Sequence, residues 1–329
     1  MGGYIIRRVL YTIPVVLGVL VTTFILLRLI PGDPVDLFYL GGQDPSGTVS
    51  FVVTPSQQSA YDALRKEFNL DKHIVHQFFI YLWDFVRFDF GKSIRSQRPI
   101  NEIIADHWPA TIQLTMAGMG IAFLIGIGAG VISAIRHHTW VDYASQGFAV
   151  FGVSIPSFFL GVVLLLIFAI AWQTEEGRGM LPVISNGHGK ELILPSITLG
   201  TAASAILARL MRSSMLDVLS RDYIRTARAK GLRERAVIWL HALRNALIPV
   251  VTVAGLAFGG LLTGTVVIEI VFTRQGLGLQ LISAITQRDY PVVQGLVILA
   301  ALLYTLMNLL VDILYTYIDP RVRLVRASV

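Results

Sequence analysis

The chain has 329 residues, with 27 Lys+Arg against 21 Asp+Glu, a formal net charge of +6 and no cysteine. Apolar residues make up 54% and charged residues 15%, against about 25% charged in soluble domains, and mean hydropathy is +0.66. This excludes a disordered chain, argues against a soluble enzyme, and leaves no disulfide framework, thiolate nucleophile or Cys-bound metal.

The apolar residues sit in blocks of one length. A helix needs about 20 apolar residues to cross a bilayer core about 30 Å thick. Val9–Ile30 meets that length with a single charge, Arg28, near its end. Arg7 and Arg8 supply a basic flank, but the run is longer than a signal peptide's core of about 7–15 residues. Pro31-Gly32-Asp33-Pro34 is no small-residue cleavage site, so a retained first span is expected.

Residues 31–110 then form a long loop. Ser56 is expected to cap a helix reaching Leu70, with Tyr61, Leu64 and Phe68 at helical spacing. His76–Phe90 carries Phe78, Phe79, Tyr81, Trp83, Phe85, Phe88 and Phe90. It reads as a helix on the membrane surface or packed on the bundle, and it is compatible with a docking platform for an external partner. Gly91-Lys92-Ser93 looks like the tail of a phosphate-binding loop, but Val86 stands where that motif needs glycine.

Thr111–Ile135 has no charge, and Gly126/Gly130 has the spacing that lets membrane helices pack closely. Gly126-x-Gly128 lies inside this block with no preceding strand, so it is no nucleotide fingerprint. Tyr143–Thr174 is uncharged and interrupted by Pro156. Ile193–Met211 is apolar until Arg209, and Leu247–Ile268 repeats the small-residue spacing at Gly255/Gly259 and Gly260/Gly264. Val292–Val311 precedes Asp312. Six blocks therefore suit six spans. With the N-terminus inside, the inner segments carry fifteen Lys+Arg and the two shorter outer loops only four, Arg178, Lys190, Arg274 and Arg288. That predicts both termini inside.

The chemistry is narrowed by exclusion. Seven histidines are scattered, and His73/His76 is the one pair at i, i+3, with no third ligand near it. No nucleophile-elbow or zinc-protease motif occurs. Arg28, Arg209, Glu269 and Asp312 fall at span ends, where long side chains snorkel or meet headgroups. The span centres carry none of the carboxylates expected of a proton- or sodium-coupled carrier. A chain that moves something without its own energy source is expected to be driven by a partner.

Asp217–Pro249, between spans four and five, is the most informative stretch. Asp222 suits an N-cap, Tyr223–Lys230 makes two turns, and Gly231 suits the position after the C-cap. Arg228 and Lys230 sit in the last turn, favourable for the helix dipole. A second helix is expected from Arg233, with Ala236, Leu240, Leu243 and Leu247 on one face and Pro249 at the membrane edge. Nine Lys+Arg against three acids in 209–246 fit an anionic-lipid-binding segment. The helix also fits a peg for an inner partner, with Ala227 leaving room for a close approach.

Asp222-Tyr-Ile-Arg-Thr-Ala-Arg-Ala-Lys-Gly231, followed by His241-Ala-Leu-Arg-Asn-Ala-Leu-Ile-Pro249, resembles the permease subunits of bacterial ABC importers for dipeptides, oligopeptides and nickel, most of all the dipeptide permeases. The likeness runs through Pro31-Gly-Asp-Pro34, Gly91-Lys-Ser93, Pro109-Ala-Thr111, Ser154-Ile-Pro-Ser157, Leu194-Pro-Ser196, Arg212-Ser-Ser-Met215, Gly276-Leu-Gly278, Arg288-Asp-Tyr-Pro-Val-Val-Gln-Gly295 and Asp319-Pro-Arg321. Of the family's Glu-Ala-Ala…Gly coupling loop, Ala227 and Gly231 match, while Arg225 and Thr226 depart from the general pattern. Thr273-Arg274-Gln275 departs from the apolar residue and proline common before Gly276.

The resemblance implies an all-α, polytopic protein of six transmembrane helices with the type I ABC importer permease fold, in a bacterial or archaeal cytoplasmic membrane. It implies a first span over 1–30, an extracytoplasmic loop over 31–110, a permease core over 111–318 with a coupling loop at 212–246, and an inner tail over 319–329. It implies no catalytic, metal or cofactor site in the chain, with ATP and Mg held by partner ATPases. The implied partners are a second similar permease, two ATPase subunits, an external substrate-binding protein and the bilayer, and no nucleic acid. Asp222, Tyr223, Arg225, Thr226, Ala227, Arg228, Ala229, Lys230 and Gly231 would couple to an ATPase. Short peptides are the expected cargo, with nickel or glutathione on the same scaffold as the alternative, and a membrane receptor or assembly protein as the different class.

Overall fold

The computed structural model describes residues 2–29, 55–172, 181–182 and 189–318. Pro31–Pro34, Arg178, His188 and Asp319-Pro-Arg321 lie outside these residues. The helices are α1 (Gly2–Leu29), α2 (Pro55–Glu67), α3 (Ile74–Val86), α4 (Ile100–Ile135), α5 (Trp140–Ser154), α6 (Ser157–Leu165), α7 (Lys190–Leu219), α8 (Asp222–Ala229), α9 (Leu243–Val271), α10 (Leu277–Thr286) and α11 (Tyr290–Ile318). A π-turn, Leu166–Ala171, continues α6, and Glu234–Ala236 with a second π-turn, Val237–Ala242, leads into α9. Helices satisfy every backbone group within the segment, which apolar surroundings demand.

Among the described residues, five helices have the length and apolarity to cross a membrane, and a sixth candidate is the pair α5–α6, bent by 103°. The break falls at the proline singled out in the third apolar block. Ile155 is extended (φ −85°, ψ 125°) ahead of Pro156, because a proline ring disfavours the helical conformation in the residue before it.

The chain divides into two compact units. The first comprises 1–108 and 280–303. Here α3 packs against α1 through aromatic rings, with Phe24 5.1 Å from Phe78 and 5.7 Å from Tyr81 between centroids. The Arg28 guanidinium lies 3.8 Å from the Phe24 ring centre and donates to Gln77 Oε1. Phe79, Trp83 and Phe88 remain exposed. The helix α2 begins at Pro55, so Ser56 is a helical residue rather than a cap, and it stops at Glu67 rather than Leu70. Asn69 takes φ 55°, and Leu70 N donates to Arg65 O at 2.9 Å, closing the helix end. His73 caps α3, its Nδ1 accepting from Val75 N.

Gly91-Lys92-Ser93 also has a structural role in this unit. Ser93 Oγ donates to Asp289 Oδ2 at 2.5 Å and Ile94 N to Asp289 Oδ1 at 3.2 Å, both buried. The Arg288-Asp-Tyr-Pro turn thus supplies the anion that this loop holds. Gly295 lets α11 approach α4: a Cβ there would meet Ile100 Cγ2 at 2.8 Å.

The second unit comprises 109–279 and 304–329. Its core forms where α7, α9 and α4 meet, around Leu114, Leu207, Met211, Met215 and Ile268, all fully buried. Gly126 and Gly130 lie on one face of α4, where a Cβ would stand 2.7 Å from Ser204 O and 2.5 Å from Ala208 O of α7. The expected close packing is there, and the glycines permit it. Gly255 and Gly259 do the same for α9 against Val311 and Tyr304 of α11, whereas Gly260 faces open space.

Candidate functional site

The helix α7 runs to Leu219, and α8 starts three residues later. Arg221, not Asp222, is the N-cap residue, extended at φ −72°, ψ 149°. Asp222 is therefore the first helical residue, and its exposed carboxylate sits 3.6 Å from Arg225 Nη1 rather than on the backbone. An acid in the first turn still favours the helix dipole. Ile224 is the one fully buried residue of α8, and Ala227, one turn on, packs half-buried against the core. Tyr223, Arg225, Thr226, Arg228 and Ala229 are exposed, as is the C-cap residue Lys230.

The end of α8 is closed as the sequence suggests. Gly231 has φ +77°. Gly231 N donates to Arg228 O at 2.9 Å and Leu232 N to Ala227 O at 3.4 Å, the paired pattern that terminates helices at a left-handed residue. Two side-chain links fix the helix from outside. Arg228 grips Glu234 with both arms, Nη2 to Oε1 at 2.6 Å and Nε to Oε2 at 3.1 Å, and the bond to Glu234 raises the Arg228 pKa. Asn245 Nδ2 donates to Tyr223 Oη at 3.1 Å. Gly231→Val puts a β-branched residue at positive φ, at about 1–2 kcal/mol or more. Its expected result is a loosened α8: faster proteolysis at 221–233 in membranes, with the spans still inserted.

The segment beyond corrects one expectation. The buried face consists of Val237, Ala242, Ala246 and Val250, while Leu240 is 63% exposed. The π-turn Val237–Ala242 inserts an extra residue, so burial steps by five and then by four. A pattern read at 3.6 residues per turn, through Ala236, Leu240, Leu243 and Leu247, misses that step at Leu240, while Leu243 and Leu247 do pack half-buried against the core. Pro249 lies inside α9.

Three polar clusters escaped the sequence reading. Asp142, 1% exposed, binds the Arg212 guanidinium at 2.7 and 2.9 Å. Glu269, expected to meet headgroups, is fully buried. Its Oε2 accepts from Gly278 N at 2.7 Å and Leu279 N at 3.2 Å, capping α10, and its Oε1 accepts from Thr111 Oγ1 at 2.6 Å. The third is Ser93 with Asp289. Glu269 ahead of Gly276-x-Gly278 was the available signal: an acid in an apolar run followed closely by small residues at a helix start.

Residues 126–324 match the family described as "Binding-protein-dependent transport system inner membrane component". The chain is 41% identical over 323 residues, 98% of its length and 99% of the relative's, to "Glutathione transport system permease protein GsiC" of Escherichia coli K12. It is 42% identical over the same span to the protein of that name from Pectobacterium atrosepticum. Two inward-facing structures of the MetNI methionine ABC transporter align with TM-scores of 0.55 and 0.53, at 17% and 18% identity, over 66% of this chain and 96% of theirs. That likeness extends to the fold alone. The chain belongs to the binding-protein-dependent inner membrane components: it is a permease subunit of an ABC importer, with no ATPase site of its own.

Proposed function

We propose that the chain forms half of a translocation path for short peptides and takes its energy through α8, docked in an ATPase subunit. The observation that carries this is α8 itself. A two-turn helix is anchored inward by Ile224 and Ala227 and fixed by the Gly231 turn and the Arg228–Glu234 grip, with its other face free. A connecting loop needs none of this. Tyr223, Arg225, Thr226, Ala229 and Lys230 supply the contact face, with Asp222 at its leading edge. Ala227 and Gly231 set how α8 stands, and Arg228 does both.

The partners are a second permease, two ATPases holding ATP and Mg, and an external binding protein. The domain layout follows the sequence: 1–30, an outer loop over 31–110, the core over 111–318 with the inner loop 212–246, and an inner tail over 319–329. The cargo class is supported by relatives named for glutathione transport, since glutathione is itself a short peptide.

The test is reconstitution. The permease with its partner permease, both ATPases and the binding protein should take up labelled dipeptide or glutathione with ATP, and the single chain should not. ATP-driven uptake by the single chain refutes the coupling assignment, and uptake of nickel alone refutes the cargo. The inner location of α8 has its own check in a chain without native cysteine. A cysteine at Ser59 should label from outside and one at Ser220 only after permeabilisation. The reverse pattern removes α8 from the ATPase side.

A further inference from the structure

Arg212 lies seven residues before the end of α7, about 10 Å at 1.5 Å per residue, and α8 follows directly. Its carboxylate partner is not an ordinary surface acid. Besides the two bonds from Arg212, Asp142 accepts from Ser133 Oγ of α4 at 2.6 Å and from His138 N of the α4–α5 turn at 3.1 Å. It accepts from Gln146 Nε2 of α5 at 3.1 Å as well. One buried carboxylate therefore ties the ends of three helices.

The surroundings reinforce the joint. His138 takes φ +62°, a conformation that L residues rarely adopt, in the turn that aims its N–H at Asp142. Ser145 Oγ donates to Ala129 O at 3.3 Å. At Gly130, α4 and α7 touch so closely that a Cβ would stand 2.6 Å from Met211 Cβ, next to Arg212.

A buried ion pair is a poor source of stability, since desolvation offsets most of the attraction. What the two-armed guanidinium–carboxylate fork supplies is fixed orientation. We infer that Asp142 and Arg212 are positioning residues for energy coupling. They make the end of α7, and α8 with it, move with α4 and α5 as one body. A displacement imposed on α8 is then delivered to the spans instead of being lost in a bend of α7. This rests on α8 as the ATPase-docking helix.

The experiment uses the complete importer in lipid nanodiscs, with Asp142→Asn and Arg212→Lys. Asn keeps the shape and removes the charge; Lys keeps the charge and removes the fork. Both are expected to lower substrate carried per ATP hydrolysed at least tenfold at matched complex concentration. Stimulation of ATP hydrolysis by the loaded binding protein should fall with it. Were the pair needed only for charge balance, Arg212→Lys would behave as the wild type, and that result overturns the inference.

Spin labels at Tyr143→Cys in α5 and Ser220→Cys after α7 test the joint directly, whatever α8 contacts. Their distance should stay the same between nucleotide-free and ATP-trapped complexes, and should broaden with Asp142→Asn. A distance that shifts on ATP trapping without that substitution overturns the joint, even where the Asn variant fails to assemble. Wild-type coupling in an Ala229→Trp variant with an unchanged label distance removes α8 docking and leaves the joint standing.

Discussion

Ala229→Trp is expected to abolish ATP-driven uptake while leaving the permease inserted and folded. Ala229 is exposed on α8, so under the proposed docking an indole there falls on the contact face rather than in the core that Ala227 packs against. Overfilling a packed contact typically costs about 1–3 kcal/mol. At about 1.4 kcal/mol per tenfold, that is roughly 5- to 150-fold weaker docking. Copurification of the ATPase subunits and uptake should fall together. Ala227→Trp is expected to fail in a different way. Ala227 packs against the core of its own subunit, so the indole displaces α8 from the bundle, and the yield of folded permease drops first. A segment that merely binds anionic lipid responds otherwise. Neutralising Arg225 and Lys230 then weakens membrane contact by about 1 kcal/mol per charge, and Ala229→Trp does little. Wild-type copurification and uptake for Ala229→Trp would remove the docking assignment.

The contrast between these two alanines shows what was legible in the sequence. The existence of α8, its length and its stop at Gly231 follow from local chemistry: an acid early, cations late, and a glycine where positive φ is needed. Which alanine faces inward does not, because Ile224 is the only large apolar side chain in two turns and tertiary packing sets the rotation. The long apolar spans were legible for the same reason that α8 was, since length and composition act locally. The π-turn before α9 was hidden, because an inserted residue leaves each side chain's identity unchanged and only moves the face it lies on.

Polar residues were the least legible. Arg28 and Glu269 sit at span ends, where exposure and burial look alike in one dimension. Their partners, Gln77 for one and Thr111 with the α10 amides for the other, are 49 and 158 positions away or lie across a turn. The glycines were half legible. Spacing marked Gly126 and Gly130 as close contacts but marked Gly260 equally, and only the neighbouring helix distinguishes them.

Glu269 gives the second large expected effect. Both its oxygens are used, two α10 backbone N–H groups on one and the Thr111 hydroxyl on the other. The same hydroxyl accepts from Leu277 N at 2.8 Å. Glu269→Ala leaves the Gly278 and Leu279 amides buried without an acceptor, at about 1–3 kcal/mol for each. That is a large share of a total stability of about 5–15 kcal/mol. Glu269→Gln should cost less, because its carbonyl can face the two amides while its NH2 donates to Thr111. Gly276 supplies the decisive comparison, since a Cβ there falls on the Glu269 carboxylate itself. Gly276→Ala must push that carboxylate away and so breaks the same bonds as Glu269→Ala. The two substitutions share one loss, and the double variant should be about as unstable as the worse single variant. Gly278→Ala differs, because its Cβ also meets the Val266 backbone at Cα, which cannot rotate aside. Its cost should persist in full when Glu269 is already Ala. Thermal unfolding of the assembled complex in nanodiscs measures all of these. Additive losses for Gly276→Ala with Glu269→Ala would show that the glycine is needed for some other reason, and that the carboxylate does not define this turn.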